Sequence, residues 1–114
     1  MGATAKVLLS QLDEKELKEA LNKIDIKKLM GKRVISRDLL VIQIGDIKRK
    51  GYGISYGERI AGAMCISTAV KSYSHPIALS ILGPENRIKP RAKAITEELI
   101  GSARRISRSI ANTS

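Results

Sequence analysis

Residues 62–83, GAMCISTAVKSYSHPIALSILG, decide how this chain is read. Two alternating apolar runs, GAMCISTAV and PIALSILG, flank the polar linker KSYSH, and that pattern predicts an antiparallel hairpin. Pro76 stands at the start of the second run, where no interior ladder bond is lost. Strand side chains alternate between faces. Met64, Ile66, Thr68 and Val70 therefore share one face, as do Ile77, Leu79 and Ile81; Ala63, Cys65, Ser67 and Ala69 share the other, with Ala78, Ser80 and Leu82 on the matching side of the partner strand. The bulky sets are expected to pair beneath helices. The opposite face carries small or weakly polar groups, which either receive a closely packed helix or border a shallow hollow for a small ligand. A pocket needs missing side-chain volume and a few hydrogen-bonding groups.

Upstream, YGIS and the turn-like YGE place a further strand over about 52–56, so strands are expected near 52–56, 62–70 and 76–83. Helices are expected over about 3–11, 13–24, 36–50 and 90–110. Asp13 and Glu16 have the spacing of a capping box, and Leu17, Ala20, Leu21 and Ile24 form the buried stripe of the helix they open. Gly31 turns a basic connector, and Ser36 offers the next N-cap. Asp38 near the start and Lys48, Arg49 and Lys50 at the end suit the helix dipole, and Leu39, Leu40, Ile44 and Ile47 are its buried face. Gly51 ends that helix in the left-handed cap position. GPENRIKP reads as a loop, with Pro90 as the first residue of a last helix whose stripe is Ala92, Ile95, Leu99, Ala103, Ile106 and Ile110; it should run for roughly 30 Å.

Length and charge bound the rest. At 114 residues the chain is read as a single domain, 1–114. One cysteine excludes an internal disulfide, no window has the roughly 18 apolar residues of a membrane span, and no leader-like run opens the chain, which points to the cytoplasm and away from membranes. A net charge of +10 attracts nucleic acid, anionic lipid or an acidic partner. Three Tyr with no Trp and no Phe count against base stacking on single strands. Cys65 lacks a base: the only histidine, His75, lies in the hairpin loop at the far end of the strand, and one His with one Cys falls short of a metal site. Glycines 51, 53, 57 and 62 do not follow the dinucleotide fingerprint. Neither catalytic residues, a metal nor a cofactor is expected, and Glu58 is read as orienting the turn beside it.

Taken together, KRKGYGISYGERIAGAMCISTAV, PIALSILGPENRI and a long helix ending in ARRISRSI resemble the C-terminal effector domain of IclR-type transcriptional regulators. The shared features fall on Arg49, Gly51 and Tyr52, on Glu58, on Gly62, on Gly83 and Pro84, and on Arg87; TAKVLLSQLDEKEL is similar to the family helix carrying Gly-Lys-Ala-Leu-Leu-Ala, with Lys6 kept and Ala5 in the Gly position. The likeness runs from about residue 3 to 110. It implies an α+β, GAF-like effector domain, with an antiparallel sheet flanked by helices, of which this chain is similar to the later part. The family's winged helix-turn-helix and the domain's opening strands would precede residue 3. The resemblance further implies a small-molecule effector such as an organic acid, a homo-oligomer (dimer or tetramer), and DNA recognition only through the helix-turn-helix domain.

In relatives that bind small carboxylates, the polar ligand contacts come from an Asp in the strand after Gly-Tyr, from the strand cysteine and from two serines before Gly-Pro. Here Cys65 matches the cysteine and Ser80 one serine, while Ser55 stands at the Asp position and Leu82 at the second serine. Ser55, Cys65 and Ser80 are thus the candidate ligand-binding residues. The leading reading is a non-enzymatic sensing and assembly domain of an IclR-type regulator; the alternative is a small basic protein that binds nucleic acid nonspecifically.

Overall fold

The computed structural model describes residues 1–23, 37–57, 60–72 and 74–113. In chain order these form α1 (Ala3–Ser10), α2 (Glu14–Lys23), α3 (Arg37–Lys50), β1 (Tyr52–Tyr56), β2 (Ala63–Val70), β3 (Ile77–Pro84), α4 (Glu85–Ile88), a 3-10 turn (Lys89–Arg91) and α5 (Ala92–Thr113). Ile24, Gly31, Ser36 and Glu58, each given a role above, lie outside the described residues.

The three strands make one antiparallel sheet in the order β1-β2-β3. Met64 lies opposite Gly83, Ile66 opposite Ile81 and Val70 opposite Ile77, so the bulky sets of the hairpin do share a face. On the other face Ser55 stands opposite Cys65, Cys65 opposite Leu82, Gly53 opposite Ser67, and Ser67 opposite Ser80. Alternation plus register thus sorts the sheet into a bulky side and a small side.

Helices cover both sides, giving three layers. On the bulky side, Met64 and Ile66 pack with Ile88 of α4 and Leu99 of α5, with Leu79, Ala92 and Ile95 around them. Met64 is 1% exposed and Ile66 0%, so this is the dry core of the sheet. On the small side lie α1 and α3. A Cβ on Gly53 would sit 2.9 Å from Ile47 Cδ1 and 3.6 Å from Val7 Cγ2, so the missing side chain lets both helices approach the sheet closely. A second apolar cluster, Leu21, Leu40 and Ile44, joins α2 to α3.

Local chemistry sets the element ends. Asp13 Oδ1 accepts from Glu16 N at 2.7 Å while Glu16 Oε1 accepts from Asp13 N at 3.2 Å, the reciprocal box that opens α2. Gly51 closes α3 with φ of 87° and donates its N–H to Ile47 O at 2.7 Å. Three expectations are corrected. Residues 83–90 are not a loop: α4 and the 3-10 turn occupy most of the stretch, and Pro90 sits in the turn ahead of α5 instead of opening it. Proline is tolerated there because a first helical turn needs no donor from it. Leu39 is 43% exposed, whereas Leu40, Ile44 and Ile47 are buried. The run LLVIQI is apolar on too much of its circumference for the period alone to choose the inward stripe.

Candidate ligand site under the first helix

The small side of the sheet is where Ser55, Cys65 and Ser80 come together, and the element laid across them is α1. The long last helix lies on the opposite side. α1 opens at Gly2, which has no side-chain cap bond. Ser55 Oγ supplies the missing acceptor from the sheet, taking the N–H of Ala3 at 3.0 Å in a buried contact. A strand hydroxyl thus does for α1 what an N-cap side chain ordinarily does.

One residue further on, Thr4 Oγ1 lies 2.7 Å from Ser80 Oγ and 3.7 Å from Cys65 Sγ. Ser80 Oγ in turn donates to Ser67 Oγ at 2.8 Å. Each hydroxyl has a single proton. Because Ser80 gives its proton to Ser67, Thr4 must donate to Ser80, and the thiol of Cys65 is left as the donor to Thr4. The order Cys65, Thr4, Ser80, Ser67 follows, a relay of small polar groups from helix and sheet. Ser67 is 0% exposed and Ser55 6%, while Ser80 opens to solvent. Leu82, in the same crosswise row as Ser55 and Cys65, is exposed beside the opening.

Two members of this cluster did not figure among the three candidate ligand residues. Ser67 was on the right face by alternation and is singled out only by its bond to Ser80. Thr4 carries no sequence signal, because the docking of α1 brings it here. The relation of α1 to the sheet is packing, not a hollow: its N-terminal turn fills the space above the thiol. A cavity of about 660 Å³ does exist at the other end of α1, lined by Ser10, Gln11, Ile47, Lys48, Lys71 and His75 among others, and Ser55, Cys65 and Ser80 take no part in it. Among the described residues no group of three His, Cys, Asp or Glu could hold a metal ion, and no helix is long and apolar enough to cross a membrane.

An α+β domain of this kind, a sheet sandwiched between helices with a polar cluster under the first of them, has known relatives. The family described as bacterial transcriptional regulator IclR, C-terminal, matches residues 1–108. The chain belongs to this family and corresponds to the C-terminal domain of its regulators. It is 27% identical over 112 residues to the HTH-type transcriptional regulator TtgV of Pseudomonas putida, a match that spans 98% of this chain and 42% of that protein. Its fold is similar to the C-terminal domain of the E. coli transcriptional regulator KdgR, with a TM-score of 0.80 and 29% identity over 96% of this chain and 68% of that one. It is also similar to the inducer-binding domain of the transcription factor PobR from Acinetobacter, a double mutant in complex with 3-hydroxybenzoic acid; there the TM-score is 0.77 and the identity 24%, over 92% of this chain and 64% of that one. The chain therefore spans less than half the length of TtgV.

Proposed function

We propose that this domain senses a small organic acid at the seam between α1 and the small side of the sheet, with Ser55, Cys65 and Ser80 as its contacts, and that it does so as a homo-oligomer without catalysing a reaction. The observation that carries the reading is the convergence, at one helix N-terminus, of a backbone amide, four hydroxyls and a thiol from four elements. Helix N-termini favour anions through unsatisfied amides and the dipole. A carboxylate entering there would accept from Ala3 N and from the hydroxyls that now serve one another. The molecule bound to the double mutant of the PobR domain, 3-hydroxybenzoic acid, is an acid of this chemical type, which supports the class and leaves the particular metabolite open.

Assembly is the second half of the reading. β1 and β3 are the outer strands of the sheet, and neither YGISY nor IALSILGP carries a charge to discourage pairing. A second copy of the chain would cover one of these edges. Sequence-specific reading of an operator is assigned to a helix-turn-helix domain outside the 114 residues.

A thermal-shift screen with small 2-oxo acids and aromatic acids tests the sensing half, because a ligand that binds only the folded form raises the melting temperature. A shift is expected for at least one acid, and Cys65→Leu should abolish it while lowering the unliganded melting temperature, because α1 already fills the space above the thiol. A retained shift in that variant would remove this site from consideration, and no shift with any acid would leave assembly alone. Sedimentation at micromolar concentration should find a dimer or larger species; a monomer contradicts the second half.

A further inference from the structure

One end of the molecule gathers cations from both helical layers. α3 finishes in Lys48, Arg49 and Lys50 on the small side of the sheet. Thr68 Oγ1 donates to Gly51 O at 2.6 Å, which fastens that helix end to the last part of β2. Lys71 follows β2 at the rim, and Ser107 Oγ donates to Lys71 O at 2.7 Å, which brings Arg104, Arg105 and Arg108 of α5 to the same end from the bulky side. All seven side chains are on exposed residues. The carboxylates nearby are Asp46, which is ion-paired with Arg49, and Asp13, Glu14 and Glu16 at the start of α2, where Lys15 adds one more cation. Eight cations against four carboxylates leave an excess of four.

The opposite end differs. Arg87, Lys89, Arg91 and Lys93 stand there among Glu85, Glu97 and Glu98, four against three, and Lys89 approaches Glu85 Oε1 at 3.9 Å. Folding needs explain only part of the basic end. Lys48, Arg49 and Lys50 suit the C-terminal dipole of α3. The last turn of α5 has no basic residue, so the dipole gives no reason for its three arginines, and Lys71 ends a strand.

We propose that this end is a sequence-independent contact for the phosphate backbone of duplex DNA. The cations reach across three layers, which is roughly 20 Å, and a duplex offers about one negative charge per 1.7 Å of its axis over such a span. A single strand would call for aromatic platforms, and the chain has three Tyr and no Phe or Trp. An anionic membrane would call for several large apolar anchors among the cations; Ile106, 39% exposed between Arg105 and Arg108, is one such side chain, but Ser72, Ser74, Ser102 and Ser107 stand between the others, so a comparison with vesicles is part of the test. The contact is independent of the sensing site, which lies at the N-terminal end of α1.

The test is fluorescence anisotropy of the 114-residue chain on a random duplex of about 20 base pairs between about 50 and 200 mM NaCl. About four phosphates neutralised give a slope near −3.6 in log affinity against log salt, or about a 100-fold loss over that range. Replacing Lys48, Lys71, Arg104 and Arg108 by Gln should flatten the slope to near zero. The matched set Arg87→Gln, Lys89→Gln, Arg91→Gln and Lys93→Gln should shift it by less than one. Should the first set fail to fold by circular dichroism, Lys71→Glu and Arg108→Glu singly serve in its place, each expected to reduce the slope by about one or more. Equal losses from both sets, no binding at the lowest salt, or preference for phosphatidylglycerol vesicles over duplex at equal salt would each overturn the proposal.

Discussion

The two faces of one three-stranded sheet have been given opposite chemistry. On the side of α5, Met64 and Ile66 meet Leu99 and Ile88 through apolar contact. On the side of α1, Ser55, Cys65 and Ser80 meet Ala3 and Thr4 through three polar contacts, and Ser67 backs them by accepting from Ser80. Both faces are made by the same strands, residue by residue in alternation. A dry face derives its stability from apolar area and close packing, which tolerate no loss of volume. A face of small hydroxyls derives less from each contact, because every hydrogen bond there replaces one with water. That makes the polar layer the easier one to separate, and it is the layer where the proposed effector would enter.

The largest effect should come from truncating the dry face. Ile66→Ala is expected to cost about 2–5 kcal/mol, since it leaves a cavity at a fully buried position; a urea unfolding midpoint that barely moves would show that α5 does not depend on this contact. Crowding the polar face comes next. Gly53→Ala places a Cβ within 2.9 Å of Ile47 Cδ1, so α3 must shift or Ile47 must change rotamer, at about 1–3 kcal/mol. If the variant is as stable as the parent, the helices on this side are seated less firmly than the distances indicate.

A smaller change is expected from Ser67→Ala, which removes the acceptor of the Ser80 hydroxyl while Ser80 keeps Thr4; about 1 kcal/mol is expected in the same denaturation assay. A loss as great as that of Ile66→Ala would erase the distinction between the faces. The smallest is Glu16→Ala, off both faces, where loss of half the capping box should lower stability by about 0.5–1 kcal/mol without altering response to any acid.

How much of this could be read from the residues follows from how local each signal is. The two faces of the hairpin were legible because a period of two, bounded by a polar linker, leaves one way to sort the side chains, and the register then follows from pairing the bulky sets. The capping box was legible because Asp13 and Glu16 make contact with each other and nothing else is needed. The exposure of Leu39 was not, since four apolar residues in a row satisfy more than one helical stripe. The helical turn at 85–91 was hidden by Pro84 and Pro90, which read equally well as loop punctuation.

The site divides in the same way. Ser55, Cys65 and Ser80 lie on one face by alternation, and the resemblance to known relatives pointed at the same positions. Alternation cannot say which helix will cover that face, because any amphipathic segment satisfies the sequence rule. Only the docked structure puts Thr4 between Cys65 and Ser80, and turns a set of strand positions into a connected relay.

Gln11 has a further consequence. Its side-chain amide donates to Ile77 O at 2.8 Å and its Oε1 accepts from Ile77 N at 3.4 Å, while seven residues earlier Thr4 holds Ser80. Seven helical residues rise about 10.5 Å, and the three strand steps from Ile77 to Ser80 span about 10 Å. α1 is thus a beam bolted at matched intervals to a single strand, antiparallel to it. Sliding would shear both bolts at once, whereas tilting undoes the one at Thr4, together with the contacts of Ala3 and Thr4 to Ser55 and Cys65, and leaves Gln11 as the fulcrum.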